Sequence, residues 1–308
     1  AKPLYWFSIP DVAGVKIMSF IIATDSSANL TDEIIEKYSL EILPLSYLVD
    51  GKEYSGYTKG VKTDLSGFYK LMRDGAKTTT SCVNVETAKN FFRPYLESGL
   101  DILYIGFSSA LSATYANAES AAQELRTLYP QRKIYTVDSL AASMGQGLIV
   151  TYAALEKEKG KNIEEVRDFV ENMKLKLCHQ FTVDDLMFLK RGGRISGGTA
   201  LIGTILKIKP VLHVDNLGRL IPKGKVIGRK AAIKALFNKY VEKAYDKKNQ
   251  LVYISHGDCI EDAQYLADLI RNQSECKDIV INYVDQVIGS HSGPGTLALF
   301  FLGNDREA

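Results

Sequence analysis

A titratable ring on a glycine-rich segment is the first feature of the sequence that could do chemistry. "IGSHSGPGTLALFFLG" covers residues 288–303 and contains His291, one of four histidines in the chain. Glycines at 289, 293 and 295 surround the ring and indicate a bend where the backbone comes close to a neighbour. An imidazole there could be a catalytic base, a metal ligand, a hydrogen-bond donor to an anion or a packing group.

Two hydroxyl-rich stretches, "TTTS" at 78–81 and "SSALSAT" at 108–114, are predicted to lie in loops. With His291 they could donate hydrogen bonds to a carboxylate, which is costly to bury without such donors. Gly289 would let the backbone and a ligand approach each other closely. The alternative is that these hydroxyls cap helices and that His291 bonds to a backbone carbonyl.

The same groups could instead form a serine hydrolase site, with His291 as the base and an aspartate as the orienting acid. The candidate nucleophiles and acids are Ser108, Ser109, Ser112, Asp138 and Asp285. The G-x-S-x-G motif of the α/β-hydrolases is absent from the sequence, which weakens this hypothesis.

The glycine-rich stretch "RGGRISGG" at 191–198 could bind an anion through successive backbone N–H groups. The alternative is a tight bend that leads into a helix. In either case Arg191 and Arg194 could contact an acidic surface of a partner. The sequence has neither the G-x-G-x-x-G motif nor the phosphate-binding loop of nucleotide-binding proteins.

The composition is typical of a soluble globular protein, with 46% hydrophobic and 24% charged residues. The net charge of +2 is too balanced to indicate nucleic-acid binding. No stretch has the ~18–20 apolar residues that a membrane span needs. The cysteines, at 82, 178, 259 and 276, are far apart and share no zinc-site spacing with a histidine. They predict a cytoplasmic location and no metal site.

Strand and helix alternate through the first half of the chain, which predicts a parallel sheet covered by helices. The first buried strand is predicted at Ile17–Ala23, and "EILPLSYLVDGKEY" reads as one extended segment with a turn at Asp50–Gly51. The predicted helix N-caps are Thr31, Thr63, Asn84 and, further on, Asn162. Polar clusters at 24–27, 108–114 and 137–139 follow strands, where functional groups gather in such sheets.

The second half reads as a mixed α/β domain, with a hairpin that turns at Asn216–Gly218. We therefore predict an α/β protein with two domains, one with a parallel sheet flanked by helices and one mixed, and a ligand between them. The predicted ranges are 1–16 for an N-terminal extension, 17–160 for the first domain and 161–308 for the second.

Six motifs, taken together and in order, resemble the DegV family of bacterial fatty-acid-binding proteins. They are "TDSS", "TTTS", "SSALSAT", "DDLMFLKRGGRIS", "LKIKPVL" and "IGSHSGPGTLALFFLG", and the resemblance covers Ile17 to Gly303. It implies two domains that enclose one long-chain fatty acid. It also implies that Thr80, Ser112 and His291 hold the carboxylate at the domain junction.

The resemblance further implies a carrier without catalytic residues or a cofactor, which presents the carboxylate to a fatty acid kinase for conversion to an acyl phosphate. Ser81, Ser109 and Gly289 would support the head group, and Arg191 and Arg194 would dock the kinase. A transient membrane contact is compatible with this role. A regulatory module that binds another small molecule is a third hypothesis, beside the carrier and the hydrolase.

The chain departs from the usual family pattern at two places. "SCVN" follows the threonines where the family usually has Ser-Gln-Pro-Ser, so Cys82 and Val83 reshape the pocket mouth and Asn84 replaces a serine cap. Ala110 and Ala113 stand where glycines are usual, and alanine disfavours a positive φ.

A fatty acid tail would dominate the affinity, since ~16 methylenes at ~0.8 kcal/mol each far exceed a few hydrogen bonds. Candidate tunnel walls are the predicted helix 200–208 and the apolar segment Leu297–Leu302, with ordinary core as the alternative for each.

Overall fold

The computed structural model describes residues 20–195 and 207–307 and confirms the predicted α/β class. The strands are β1 Phe20–Asp25, β2 Glu41–Leu43, β3 Ser46–Val49, β4 Lys52–Ser55, β5 Thr78–Ser81, β6 Asp101–Gly106, β7 Ile134–Asp138, β8 Leu177–Thr182, β9 Ile208–Val214, β10 Leu220–Ile227, β11 Leu251–His256, β12 Asp278–Tyr283 and β13 Leu297–Leu302. The helices are α1 Asp32–Lys37, α2 Leu65–Arg73, α3 Val85–Glu97, α4 Thr114–Leu128, α5 Met144–Glu158, α6 Ile163–Met173, α7 Met187–Arg191, α8 Arg229–Lys243, α9 Ile260–Gln273 and α10 Gln286–Ser292.

A four-stranded sheet has the order β2-β1-β6-β7, and all its pairs are parallel. Every residue of its two central strands, β1 and β6, is buried, as expected of strands covered on both faces. The first strand begins at Phe20, and residues 17–19 of the predicted strand lie outside the described residues.

A six-stranded mixed sheet has the order β10-β9-β8-β13-β11-β12, in which only β11 and β12 pair in parallel. The β9–β10 hairpin turns across residues 216–218, as predicted, with Gly218 at a φ of 76°. The apolar segment Leu297–Leu302 is β13, a central strand with a neighbour on each side.

A small antiparallel sheet, with the order β4-β3-β5, was not predicted. The segment predicted as one extended stretch is divided, since β2 joins the parallel sheet while β3 and β4 form a hairpin. The prediction of a loop at "TTTS" is wrong, because these residues form β5, where Thr80 pairs with Tyr47. Threonine is β-branched and suits a strand, but four polar residues give no apolar alternation that would reveal one.

The sheets and helices form alternating layers around three main apolar clusters. Helices α3 and α4 cover one face of the parallel sheet, and α8 and α9 cover the outer face of the mixed sheet. Helix α5 lies between the two sheets and contacts strands of both. The division near Gly160 stays a prediction, and α6, which follows it, contacts β6 and β7 of the parallel sheet.

Four polar residues were predicted to cap helices, and three do so. The side chains of Thr31, Asn84 and Asn162 accept backbone N–H groups at the starts of α1, α3 and α6. The prediction for Thr63 is wrong, since Asp64 caps α2 by accepting from Gly67 N at 2.8 Å. A carboxylate one position later offers the stronger acceptor to the positive end of the helix.

The loop between β7 and α5 is held in a strained conformation by a buried arginine. Leu140 and Ser143 have positive φ angles of 50° and 54°, which are unfavourable for side chains other than glycine. Arg306 is 0% exposed and donates to the Leu140 carbonyl at 2.7 Å. It also donates to the carbonyl oxygens of Lys174, Leu177 and Asp215.

Within residues 20–195 and 207–307, no helix is long and apolar enough to cross a membrane.

Candidate functional site

A cavity of about 290 Å³ lies between the parallel sheet and the mixed sheet. Loops at the carboxyl ends of β6 and β7 form one side of it, and the inner faces of β8 and β13 form the opposite side. Helix α10 and strand β5 close one end. This position, beyond the carboxyl ends of parallel strands, is where open α/β sheets bind their ligands.

His291 lies on a helix and not on a bend, so the predicted local structure is wrong. It is in the last turn of α10, whose N-cap is Asp285 and which ends at Gly293 with a φ of 80°. The helix has only seven residues, too few for a periodic pattern to be recognised. His291 Nε2 and Thr80 Oγ1 form a hydrogen bond of 2.8 Å, which joins α10 to β5.

Burial, and secondly the charge of Arg194, lower the pKa of His291 to about 4, so the ring is neutral near pH 7. The backbone of Gly192 packs closely against the ring, because a Cβ at that position would lie 2.3 Å from His291 Nδ1. Any larger residue at 192 would displace the imidazole.

Ser112 lines the same cavity from the loop between β6 and α4. Its Oγ lies 3.0 Å from Thr114 Oγ1 and accepts from Thr114 N at 3.2 Å. The adjacent Ala113 has a φ of –71°, so the alanine that replaces a family glycine causes no strain there. The structure therefore brings Thr80, Ser112 and His291 to one cavity.

The three supporting residues are placed differently from one another. Ser81 lines the cavity beside Thr80. Ser109 is exposed, and its backbone N–H donates to Asp138 Oδ1 at 3.2 Å. Gly289 faces a tyrosine, since a Cβ there would lie 2.5 Å from Tyr69 Oη, so its small size serves helix packing.

The two arginines that were predicted to act together occupy different environments. Arg191 is exposed, with its guanidinium 4.8 Å from the ring centre of Phe188. Arg194 lines the cavity, and its Nε donates to the Leu111 carbonyl at 3.2 Å. Arg194 is thus positioned to pair with an anion inside the site, a role that the sequence alone did not assign.

The bend at residues 191–194 does not offer free backbone donors to an anion. The N–H groups of Gly192, Gly193 and Arg194 donate to carbonyl oxygens of α7. This geometry favours the tight-bend interpretation, and residues 196–198 of the motif lie outside the described part of the chain.

The predicted tunnel wall at Leu297–Leu302 lines the cavity with every second residue. Ala298 and Phe300 of β13 face the cavity, whereas Leu297, Leu299 and Phe301 face the apolar cluster under α8 and α9. Both interpretations of this segment therefore hold, one for each face of the strand. The other predicted wall, 200–208, lies mostly outside the described residues, which resume at 207.

The described residues do not assemble the Ser–His pair that a serine hydrolase requires. His291 Nε2 bonds to Thr80, Ser108 Oγ donates to the Gly218 carbonyl, and Ser112 bonds to Thr114. Asp285 caps the helix that carries His291. In the same described ranges, no three His, Cys, Asp or Glu side chains are grouped to hold a metal ion.

These features define an α/β protein that can hold a small molecule with an apolar body and an anionic end in a partly enclosed cavity. Residues 19–304 match the family described as "Uncharacterised protein, DegV family". The chain is 44% identical over 290 residues to a DegV domain-containing protein from Clostridium perfringens, covering 94% of this chain and 99% of that protein. The chain belongs to the DegV family.

Solved structures of related proteins share the fold. A DegV lipid-binding protein from Thermotoga maritima is 31% identical with a TM-score of 0.83, over 94% of this chain and all (100%) of that chain. A DegV family protein from Thermus thermophilus, described as fatty-acid-binding, is 30% identical with a TM-score of 0.84, over 93% of this chain and 100% of that chain.

Proposed function

We propose that this protein binds one long-chain fatty acid in the cavity and presents its carboxylate to a fatty acid kinase, which converts it to an acyl phosphate. The observation that carries the proposal is the single cavity in which Thr80, Ser112, His291 and Arg194 meet an apolar wall. The related Thermus protein, described as fatty-acid-binding, supports the choice of ligand.

The polar end of the cavity suits a carboxylate better than a neutral group. Arg194 supplies a positive charge, and hydrogen bonds to charged groups are about twice as strong as neutral ones. Thr80 and neutral His291 share the hydrogen bond between Oγ1 and Nε2, so this pair has one hydrogen left to donate, without a second charge. The Ser112 hydroxyl, which donates to Thr114 Oγ1, would turn to the carboxylate.

The same proposal places the carrier in the cytoplasm. All four cysteines lie in the described residues and are free thiols, as a reducing compartment maintains them.

Extraction tests the ligand. The protein, purified without detergent, is analysed by native mass spectrometry and its organic extract by lipid mass spectrometry. We expect one fatty acid per chain. A protein that is empty and also fails to bind added palmitate or oleate would refute the proposal, and a polar metabolite in the extract would favour the regulatory module.

A kinase assay tests the partner. With a fatty acid kinase and ATP, the loaded protein should yield acyl phosphate, trapped by hydroxylamine as a hydroxamate. Arg191→Glu should reduce this yield without changing fatty acid affinity, because Arg191 is exposed and outside the cavity lining. Lys190→Glu, an equal charge change on a neighbouring exposed residue, is the matched control. An unchanged yield from Arg191→Glu removes it from the docking surface.

Turnover separates the carrier from the hydrolase. Incubation with acyl esters should give no Ser112-dependent product. If Ser112→Ala abolished a measurable ester hydrolysis, the carrier proposal would give way to the hydrolase.

A further inference from the structure

The cavity has an end along strand β13. Ala298 and Phe300 face the cavity. Leu302, the next residue on that face of the strand, packs against the apolar cluster around α5 and lies outside the cavity lining. Phe300 is therefore the last side chain of β13 that a molecule bound in the cavity can contact.

The neighbouring strand β8 leaves the cavity at the same level. Its His179 lies opposite Phe300 in the strand register and also lines the cavity. Leu177, the next residue of β8 on that face, lies opposite Leu302, is 0% exposed and belongs to the same apolar cluster. Beyond the level of His179 and Phe300, both strands are thus covered by packed core.

His179 and Phe300 form a closely packed pair of rings, which we call the ring pair. Their ring centres are 5.3 Å apart and their planes are at 86°, an edge-to-face contact. Both residues are 2% exposed. Burial is the main reason that the pKa of His179 lies well below its ordinary value, so the ring is uncharged near pH 7 and can lie beside a hydrocarbon chain.

Helix α5 packs directly against the ring pair. A Cβ on Gly145 would lie 2.4 Å from His179 Nε2 and 2.8 Å from Phe300 Cδ1. The Ala142 N–H, just before α5, donates to His179 Nε2 at 3.3 Å. The rings therefore have no space to move toward α5 and make room for a longer ligand.

The polar end of the cavity lies at the opposite end of β13. Thr296, just before the strand, lines the cavity and donates to the carbonyl of Ser292, the residue after His291. At ~3.3 Å per residue, Phe300 is roughly 13 Å further along the strand than Thr296. A fatty acid whose carboxylate is held beside His291 can therefore extend its chain along β13 toward the ring pair.

We propose that the ring pair is the end wall of the acyl-chain site and sets the longest fatty acid that the cavity accepts. A longer chain must displace packed side chains, which costs affinity. Phe300 contributes the larger ring and no contact to the carboxylate, so it is a specificity-determining residue and not part of the head-group site. The inference rests on the proposed function, since it specifies the chain that the same cavity takes.

A chain-length series tests the inference. Saturated fatty acids from decanoate to eicosanoate are titrated into the full chain, stripped of lipid, by isothermal titration calorimetry. In the wild type, each added methylene should raise the affinity about fourfold, the equivalent of ~0.8 kcal/mol, until the methyl end reaches the ring pair. Longer acids should then gain nothing or bind more weakly. The measured quantity is the chain length at which this break occurs.

Truncation of Phe300 should move the break. In Phe300→Ala the lost ring leaves space that the core does not fully refill, so the break should shift to acids longer by about two or more carbon atoms. The matched control is Phe301→Ala, because Phe301 is the next residue of β13, is 0% exposed and faces the cluster under α8 and α9. It loses the same ring and should keep the wild-type break. If either alanine variant does not fold, Phe300→Leu and Phe301→Leu make the same comparison.

A ligand with a bulky end gives a second readout. A fatty acid of the length that the wild type binds best, extended by a phenyl group on its last carbon, should bind Phe300→Ala about tenfold or more tightly than the wild type, since its ring can occupy the vacated space. Phe301→Ala should bind this ligand no better than the wild type does.

The outcomes separate the two proposals. A break that stays in place in Phe300→Ala, or that moves equally in Phe301→Ala, overturns this inference and leaves the carrier function in place. A wild-type affinity that rises through the whole series without a break overturns it as well. Failure of every acid in the series to bind the wild type overturns the carrier function itself.

Discussion

The two sides of the cavity are built in different ways. At the polar end, His291, Thr80, Ser112 and Arg194 come from a short helix, an edge strand, a loop and a bend. The apolar wall comes from the inner faces of β8 and β13, which are central strands of one sheet. Elements from separate parts of the chain can shift relative to one another around a head group, whereas a sheet face gives a fixed shape. We infer that the wall determines which chain fits, and the polar end determines how the carboxylate is held.

Filling the wall should have the largest effect on binding. Ala298 lies on β13 and faces the cavity, so Ala298→Trp places a large ring where the chain would lie. We expect fatty acid affinity to fall about 100-fold or more, because the indole ring and the acyl chain would occupy the same space. Fitting both into one packed site would cost roughly 1–3 kcal/mol in strain, in addition to the contacts that the chain loses. Titration calorimetry measures it. Ala116→Trp, on the exposed face of α4, is the control and should bind normally. If Ala298→Trp bound the fatty acid as tightly as Ala116→Trp, the inference that the wall has a fixed shape would be wrong.

Removing the charge at the polar end should have the next largest effect. Arg194→Gln is expected to weaken fatty acid binding roughly 10- to 100-fold, because a charged hydrogen bond contributes ~1.5–3 kcal/mol. The affinity for the fatty alcohol of equal length should change little, since it has no charge to pair. The measured quantity is the ratio of the affinities for the fatty acid and the fatty alcohol. Arg191→Gln, a change at an exposed residue, is the control. Equal losses for acid and alcohol would show that Arg194 acts through structure alone.

His291→Ala should separate holding the carboxylate from presenting it. Binding is expected to weaken only about fivefold, since one neutral hydrogen bond contributes ~1 kcal/mol. Acyl phosphate formation should fall further, because the carboxylate loses the ring bonded to Thr80 and can turn away from the kinase. Parallel calorimetry and hydroxamate assays give the two numbers. A drop in binding as large as the drop in acyl phosphate would remove this distinction.

The helix that carries His291 begins on a carboxyl group that resists ionisation. Burial raises the pKa of Asp285 to about 7 from an ordinary 3.8. Between about pH 4 and pH 7 the folded chain therefore keeps a proton that the unfolded chain has lost, and stability from this group falls as pH rises through that window.

Asp285→Asn should therefore be more stable than the wild type at pH 8, by roughly 1–3 kcal/mol, because asparagine still caps the helix and cannot ionise. The difference should shrink towards pH 4. Urea unfolding at both pH values measures it. Asp64→Asn, at the exposed cap of α2, is the matched control variant. A constant difference at all pH values would mean that packing, and not charge, is responsible.

The helices and strands that were predicted most accurately are those whose structure is determined by their own residues and near neighbours in sequence. The strands β1 and β6 have mostly apolar sequences, and Asn84 and Asn162 cap helices by local hydrogen bonds. Local patterns are visible in a single chain because neighbouring residues make the contacts.

Elements fixed by distant partners were missed. Strand β5 exists because it pairs with β3, about thirty residues earlier, and α10 is stabilised where Gly289 packs on Tyr69. The position of Arg194 in the cavity depends on the Leu111 carbonyl from another loop. The motifs located the hydroxyls and the imidazole, but which arginine turns inward is decided by tertiary packing, which no local pattern records.

Arg306 has a consequence for how the protein is made. It follows in sequence every segment whose carbonyl it holds, from Leu140 to Asp215. The strained loop that lines the cavity can therefore form its hydrogen bond to Arg306 only after residue 306 has left the ribosome. The parallel sheet can form during synthesis, but the binding cavity is finished afterwards. Limited proteolysis of stalled nascent chains should show the loop at 139–143 protected only in chains long enough to expose Arg306.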